Sequence, residues 1–196
     1  DIVNWNNNFT WAKWVTPSRD LISAFKQEGD EVRFKESIVY YDCNWSNYYP
    51  SDNYPFMYKC RSANSSIIKY RYADVLLLKA EALIMQDTPD LEGAADIIDE
   101  VRDRAKLGAL PTSVRSNKNV LLNALLKERR LELAFEGQRW FDLVRLDKVE
   151  EVMNAVYSKD SGRKAQIYTF DKNSYRLPIP QSVIDANDKI HQNPGY

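Results

Sequence analysis

Residues 43–54 read CNWSNYYPSDNY, which sets Trp45, Tyr48, Tyr49 and Tyr54 among Asn44, Asn47, Asp52 and Asn53. These residue types suit a carbohydrate. An aromatic ring offers a flat apolar surface to the C–H face of a pyranose, and amides and carboxylates match its hydroxyl groups. The cluster follows neither a helical nor a strand period, so a buried face explains it less readily than it would explain rings on a helix. Trp45, Asn47, Tyr48, Tyr49, Asp52 and Tyr54 are therefore the candidate ligand-binding residues. The competing reading is that these rings close the edge of a sheet or pack on another part of a longer protein. Residues 4–14, NWNNNFTWAKW, carry a second aromatic candidate in Trp5, Trp11 and Trp14.

Side chains that could perform chemistry are scarce. His191 is the only histidine and sits in a tail with proline nearby, which excludes zinc sites built from several histidines and gives a Ser/His triad a poorly placed base. The nucleophile-elbow, phosphate-loop and zincin motifs are all missing from the sequence. A glycosidase needs two carboxylates facing each other across a sugar, and Asp52 is the one acid in the aromatic stretch. Glu128, Glu132 and Glu136 have arginines about one helical turn away. Pairing lowers a carboxyl pKa, the wrong direction for a general acid, so these read as structural ion pairs. No catalytic residue, metal or cofactor is assigned.

Composition narrows the classes further. The 196 residues carry 27 basic and 28 acidic side chains with 44% hydrophobic content, which suits a folded core and argues against nucleic acid as a partner. No run approaches the roughly 18–20 apolar residues of a membrane span, and residues 1–15 lack the regions of a signal peptide. Cys43 and Cys60 show no metal or redox spacing. A disulfide between them and two separate small core residues are equally compatible with the sequence.

The elements that must position the aromatic loop are legible from pattern. Ser18 caps a helix bearing Leu21, Ile22 and Phe25 that ends at Gly29. Val32 to Tyr41 and Pro55 to Tyr70 contain short strands, around Ile38, Val39 and Tyr40 and around Ile67 and Ile68. Residues 71–86 are apolar nearly all round and suit a helix buried between neighbours. Thr88 caps the next helix, with Pro89 at its first position and Leu91, Ala94, Ala95, Ile98, Val101 and Ala105 on one face until Gly108. Residues 118 onward form a long amphipathic helix with Leu122, Leu125, Leu126, Leu133 and Ala134 on its stripe, stopping at Gly137. A further apolar face follows at Val149, Val152, Met153 and Val156. Such helix pairs stack like tetratricopeptide units, although no clean repeat of about 34 residues is present.

The string ERRLELAFEGQRWFDLVR (128–145) resembles the ER-x-x-EL-x-FEG-x-RW-x-DL-x-R signature of the SusD/RagB family, the surface glycan-binding lipoproteins of Bacteroidetes. KYRYADVLLLKAEAL (69–83), EVRDRAKLG (100–108) and LPIPQSVIDANDKIHQNPGY (177–196) are similar to family segments in the same order, and Pro17, Leu21, Phe25 and Arg33 match one more loosely. The resemblance implies the C-terminal portion of a longer protein. It implies a mainly α, SusD-like fold, with irregular loops and short strands over 1–70, tetratricopeptide-like helices over 71–160, and an extended tail over 161–196 packed on them. It also implies a non-enzymatic role at the outer membrane surface. There a protein tethered by an N-terminal lipid outside these residues would capture oligosaccharide for a SusC-like TonB-dependent transporter. The signature itself reads as core: Arg129, Arg139 and Arg145 tie helices together while Trp140 and Phe141 fill the groove between them. Glycan contacts differ between members, so no site residue is carried over. Two other classes stand beside this reading, a helical-repeat scaffold for a protein partner and a glycoside hydrolase.

Overall fold

The structure is a computed structural model that describes residues 15–44, 46–59, 68–159 and 169–196. The chain divides into two compact units, residues 1–139 and 140–196, where the sequence suggested boundaries near 70 and 160.

Helix α1 (Arg19–Glu28) begins as expected, with the Ser18 hydroxyl accepting the Leu21 N–H at 3.1 Å. It ends at Gly29, whose φ of 68° is the left-handed conformation that glycine adopts without a steric cost. The next residues correct the strand expected from Val32. Asp30 accepts the Arg33 N–H at 3.1 Å and caps a second helix, α2 (Glu31–Ser37). Strand formation starts only at β1 (Ile38–Tyr41), which pairs antiparallel with β2 (Tyr54–Met57) from Ile38↔Met57 to Tyr41↔Tyr54. All four β2 side chains are buried, and Phe56 and Met57 centre a small aromatic core with Cys43 and Tyr54. Ile68 lies outside any strand, and Ile67 is outside the described residues.

Helices α3 (Tyr72–Met85) and α4 (Leu91–Arg104) form the expected hairpin. The cap of α4 is Asp90 rather than Thr88, because the Asp90 carboxylate reaches the Gly93 N–H at 2.9 Å. Leu77, Ala80 and Ile84 from α3 meet Ala94, Ala95, Ile98 and Val101 from α4, and Leu121 and Leu125 complete this core from the long helix α6 (Lys118–Glu132). The single turn α5 (Thr112–Arg115) precedes α6, and Asn117 caps α6 by accepting the Asn119 and Val120 N–H groups. Removing one of these core leucines costs about 2–5 kcal/mol through lost burial and the cavity left behind. One face of α3 does not take part. Tyr72, Val75, Leu78 and Met85 recur at helical spacing yet stay exposed, which corrects the helix expected to be buried all round.

α6 also stops earlier than expected. The helix ends at Glu132, and the chain turns through residues 133–137 with Phe135 at φ 67° and Gly137 at φ 80°. The left-handed geometry at Phe135 is costly for a residue with a Cβ. Packing of its ring against both the β2 core and the α1 core offsets that cost.

In the second unit, α7 (Arg139–Arg145), whose first residue belongs to the first unit, leads to α8 (Val149–Lys159). Asp142 and Leu143 face inward on α7, which turns Phe141 outward at 63% exposure rather than into a groove. The tail is more ordered than an extended strap. Asn154 of α8 clamps both backbone groups of Phe170, at 2.9 and 2.8 Å, and a capping box at Asp171 and Ser174 starts a 3-10 turn over Lys172–Tyr175. After the short helix α9 (Gln181–Asp185), the Gln192 side chain returns to bond both backbone groups of Ile179. Among the described residues no helix is long and apolar enough to cross a membrane.

Candidate functional site

The aromatic loop is the connection between β1 and β2, so the two paired strands fix both of its ends. Its backbone is pinned by the Cys43 N–H to the Ser51 carbonyl at 2.7 Å and the Asn53 N–H to the Pro50 carbonyl at 3.2 Å. Ser46 organises the middle: its hydroxyl accepts the Tyr48 N–H at 3.3 Å and lies 2.8 Å from the Tyr54 hydroxyl. A ladder of rings runs inward from the loop. Tyr48 and Tyr49 meet edge to face at 5.0 Å, Tyr49 and Tyr54 at 5.5 Å, and Tyr54 lies 5.0 Å from Phe56 in the core. Arg19, the first residue of α1, covers the outer end. Its guanidinium sits 4.3 Å from the Tyr48 ring and 4.2 Å from the Tyr49 ring, and it donates to the Tyr48 carbonyl.

The residues singled out by sequence separate in this geometry. Tyr54 is 3% exposed, with its hydroxyl engaged by Ser46 and Thr16, so it is the floor of the ladder. Tyr48 and Tyr49 are half-buried, and Tyr49 also donates its hydroxyl to the Pro17 carbonyl at 2.9 Å. Asn44, Asn47, Asp52 and Asn53 stand exposed around them. Trp45, and Trp5, Trp11 and Trp14 of the second cluster, lie outside the described residues. Cys43 is a buried free thiol with its Sγ 3.9 Å from the Ser46 carbonyl, while Cys60 falls outside the described residues. Arg19 is the residue that sequence reasoning missed. An arginine one position after a helix cap carries no signal that it will stack on rings 29 residues away.

The carboxylates of α6 and of Glu136 in the turn after it form a second polar centre, and their partners are not those expected. Instead of pairing along their own helix, they draw cations from other elements. Arg33 of α2 lies 2.6 Å from Glu128 and 3.0 Å from Glu132 while also holding Asp30 at 2.5 Å. Arg102 of α4 bridges Glu128 at 3.2 Å and Glu28 at 2.8 Å. Arg71 forks onto Glu132 at 2.6 Å and Glu136 at 2.7 Å, Arg104 also pairs with Glu132, and Lys59 reaches Glu136 at 2.5 Å. The signature arginines divide in role. Arg129, 1% exposed, ties α6 to α3 through Asp74 at 2.9 Å, and Arg139 donates to the Leu126 carbonyl at 3.1 Å. Arg145 pairs with Asp142 within its own helix at 2.9 Å.

The titration of Glu128 and Glu132 follows from the balance between burial and partners. Burial alone would raise the Glu132 carboxyl, but hydrogen bonds from Arg71 and Arg33 prevail and hold it below the usual carboxylate range. Burial pushes Glu128 up despite Arg33 and Arg102, which corrects the expectation that it would be lowered. A raised carboxyl is the property of a general acid, yet Glu128 is 1% exposed and enclosed by two guanidiniums, out of reach of a sugar. Among the described residues no group of three or more His, Cys, Asp or Glu side chains is arranged to hold a metal ion.

Comparison with known proteins bears on the whole arrangement. Residues 57–196 match the model of the SusD family. SusD-like protein P38 of Formosa agariphila is 43% identical over 99 residues, covering 47% of this chain and 19% of that protein. SusD-like protein P2 of the same bacterium is 36% identical over 143 residues, covering 69% of this chain and 27% of that protein. The chain thus spans less than a third of either curated relative. Among solved structures, a SusD superfamily protein from Bacteroides vulgatus superposes with a TM-score of 0.69 at 22% identity, over 92% of this chain and 44% of the other. A laminarin-binding SusD-like protein superposes with a TM-score of 0.58 at 28% identity, over 97% of this chain and 42% of the other. These likenesses bear out the mainly α, SusD-like fold with its small two-stranded sheet. With a family match running from the last residue of β2 to Tyr196, the chain belongs to the SusD family.

Proposed function

We propose that this chain is the C-terminal portion of a cell-surface protein that captures oligosaccharide without altering it and delivers it to a SusC-like TonB-dependent transporter. Membership of the SusD family carries the proposal, and a family relative described as laminarin-binding supports the choice of glycan as ligand. The protein would be held at the outer membrane by a lipid on an N-terminal segment outside these residues. The glycan would rest on the loop between β1 and β2, with Trp45, Tyr48 and Tyr49 supplying ring faces and Asn47 and Asp52 supplying hydroxyl partners. Tyr54 would support them from below. Contacts of this type gain affinity by adding stacked rings rather than by filling a deep pocket, so recognition is expected to be weak and to span several sugars.

Calorimetric titration with a panel that includes laminarin oligosaccharides tests this, comparing the wild type with Trp45→Ala and Tyr48→Ala. Saturable heat for one glycan that both variants lose, with circular dichroism unchanged, is the expected result. Normal binding by both variants would move the site off the loop, and heat from no glycan would move it to another part of the longer protein or favour a protein partner. A second reading, a helical-repeat surface for a protein partner, rests on the exposed stripe of α3 at Tyr72, Val75, Leu78 and Met85. Hydrolysis has little support, because Asp52 is the one acid among the loop's aromatic residues 43–54 and the α6 acids are sealed by arginines.

A further inference from the structure

We infer that Arg19 is a positioning residue for the aromatic loop, holding Tyr48 and Tyr49 in the arrangement that the glycan site proposed above would use. Arg19 belongs to α1, a helix capped at both ends by Ser18 and Gly29 and anchored in the core through Ile22, Ala24 and Phe25. From this fixed base its guanidinium spans two rings that stand at 89° to one another, 4.3 Å from one centroid and 4.2 Å from the other. A single cation in contact with two perpendicular rings restrains both, because rotating either ring loses the electrostatic attraction of its face. The same guanidinium donates to the Tyr48 carbonyl, and the Tyr49 hydroxyl returns to the Pro17 carbonyl at 2.9 Å. The tip of the loop is therefore tied to the entry of α1 through two rings, one loop carbonyl and one loop hydroxyl. Its neighbours at the tip, Asn47 and Pro50, are exposed.

The consequence for binding is preorganisation. A ligand that must order two tyrosines on arrival gives up affinity to their lost rotamer freedom, and rings already held in place avoid that cost. The planar fork of arginine is specifically suited to this task. Its delocalised charge can meet two ring faces while its N–H groups still donate, whereas the ammonium of lysine is a compact point charge that cannot do both.

The test uses two readouts on the full chain, wild type against Arg19→Gln and Arg19→Lys. The first, made without ligand, is hydrogen exchange at the Cys43, Tyr48 and Asn53 amides, which bond within the loop. Exchange is expected to accelerate roughly tenfold in Arg19→Gln, with Arg19→Lys recovering only part of the protection and the amides of α3, α4 and α6 unchanged. The second is calorimetry with laminarin oligosaccharides, where Arg19→Gln is expected to bind about fivefold more weakly. Unchanged loop exchange in Arg19→Gln would overturn the positioning role whatever the binding result. Faster exchange with undiminished binding would overturn its contribution to the site. Full recovery by Arg19→Lys would reduce the role to charge. Should the wild type fail to bind the oligosaccharide, the choice of glycan falls, and loop exchange alone decides whether Arg19 positions the rings.

Discussion

The α6 carboxylates and the β1–β2 loop are both rich in polar groups and both handled by arginine, yet they are built to opposite ends. On α6 and the turn after it, Glu128, Glu132 and Glu136 receive Arg33, Arg71, Arg102, Arg104 and Lys59 from elsewhere in the first unit, and their side chains are almost wholly buried. In the loop a single arginine contacts two rings, and Asn44, Asn47 and Asp52 remain in contact with solvent. Ion pairs closed off from water fix how elements assemble; rings and amides left at the surface keep donors, acceptors and apolar area available to something else. Access, rather than residue type, separates the assembling centre from the candidate binding one.

The sharpest way to break this comparison is to remove a charge from α6. Glu132 answers Arg33, Arg71 and Arg104 at once, so Glu132→Gln removes the charge that three cations share, leaving Arg33 to Asp30 and Glu128 and Arg71 to Glu136, and is expected to cost about 3–5 kcal/mol. In a chain of this size that lowers the melting temperature by roughly 6–20 °C, read by circular dichroism. Glu128→Gln should cost less, about 1–2 kcal/mol, because burial already pushes this carboxyl toward its neutral form. Equal losses in the two variants would mean that partner number does not set the balance.

Acid sharpens the same distinction. Glu28 and Glu132 are held below their ordinary value of 4.5, Glu28 because hydrogen bonds from Lys127 and Arg102 outweigh the upward push of burial. A depressed carboxyl contributes stability that is present above its unfolded pKa and lost as pH falls through its folded one. Glu128 is raised and contributes in the opposite sense, favouring the fold at low pH and losing that advantage as pH rises through its folded value. Melting temperature should therefore hold near neutral pH and fall below about pH 4.5. The fall should be shallower in Glu132→Gln, and an unaltered acid profile in that variant would show the network to be idle.

The legibility of these two regions differs for physical reasons. The apolar positions of α4 and α6 follow the helical period and residues 71–86 are apolar nearly throughout, so the helices and their hairpin could be read from the sequence, though not the exposed face of α3. Partners distant along the chain could not. Glu128 has arginines beside it in sequence, but the ones it meets are Arg33 and Arg102, brought by folding. α2 was obscured because Val32 and Phe34 suggest a strand, while the Asp30 cap that decides for helix also carries the ion pair to Arg33. The end of α6 was misplaced because glycine at 137 is the ordinary stop, and a phenylalanine at 135 enters the left-handed region only when two cores grip its ring. In the loop, composition pointed to Tyr54 as readily as to Tyr48, since burial depends on the paired strand beneath it.

Within the loop a smaller effect on stability and a larger one on binding are expected together. Tyr48→Ala removes a half-buried ring and its contact with Arg19, a loss of about 1 kcal/mol to the fold, while a glycan that stacks there should bind about tenfold more weakly. Loss of several kcal/mol with no change in binding would return the loop to the same class as α6, a place where side chains serve assembly alone.

Asp52 gives the smallest expected change and bears on the chemistry of the site most directly. It is exposed and is the only acid within the aromatic stretch. Asp52→Asn keeps an acceptor for a sugar hydroxyl and removes only charge, so stability should move by no more than about 0.5 kcal/mol. Affinity should fall a few-fold at most, the difference between a charged and a neutral hydrogen bond in water. A binding protein leaves its glycan intact in both forms, which chromatography of the sugar after prolonged incubation would read. Cleavage by the wild type that disappears in Asp52→Asn would require a second carboxylate across the sugar and would recast the open loop as a catalytic centre. Intact glycan in both forms, with the modest affinity change, is the outcome that keeps the loop a platform and leaves the buried acids of α6 to assembly.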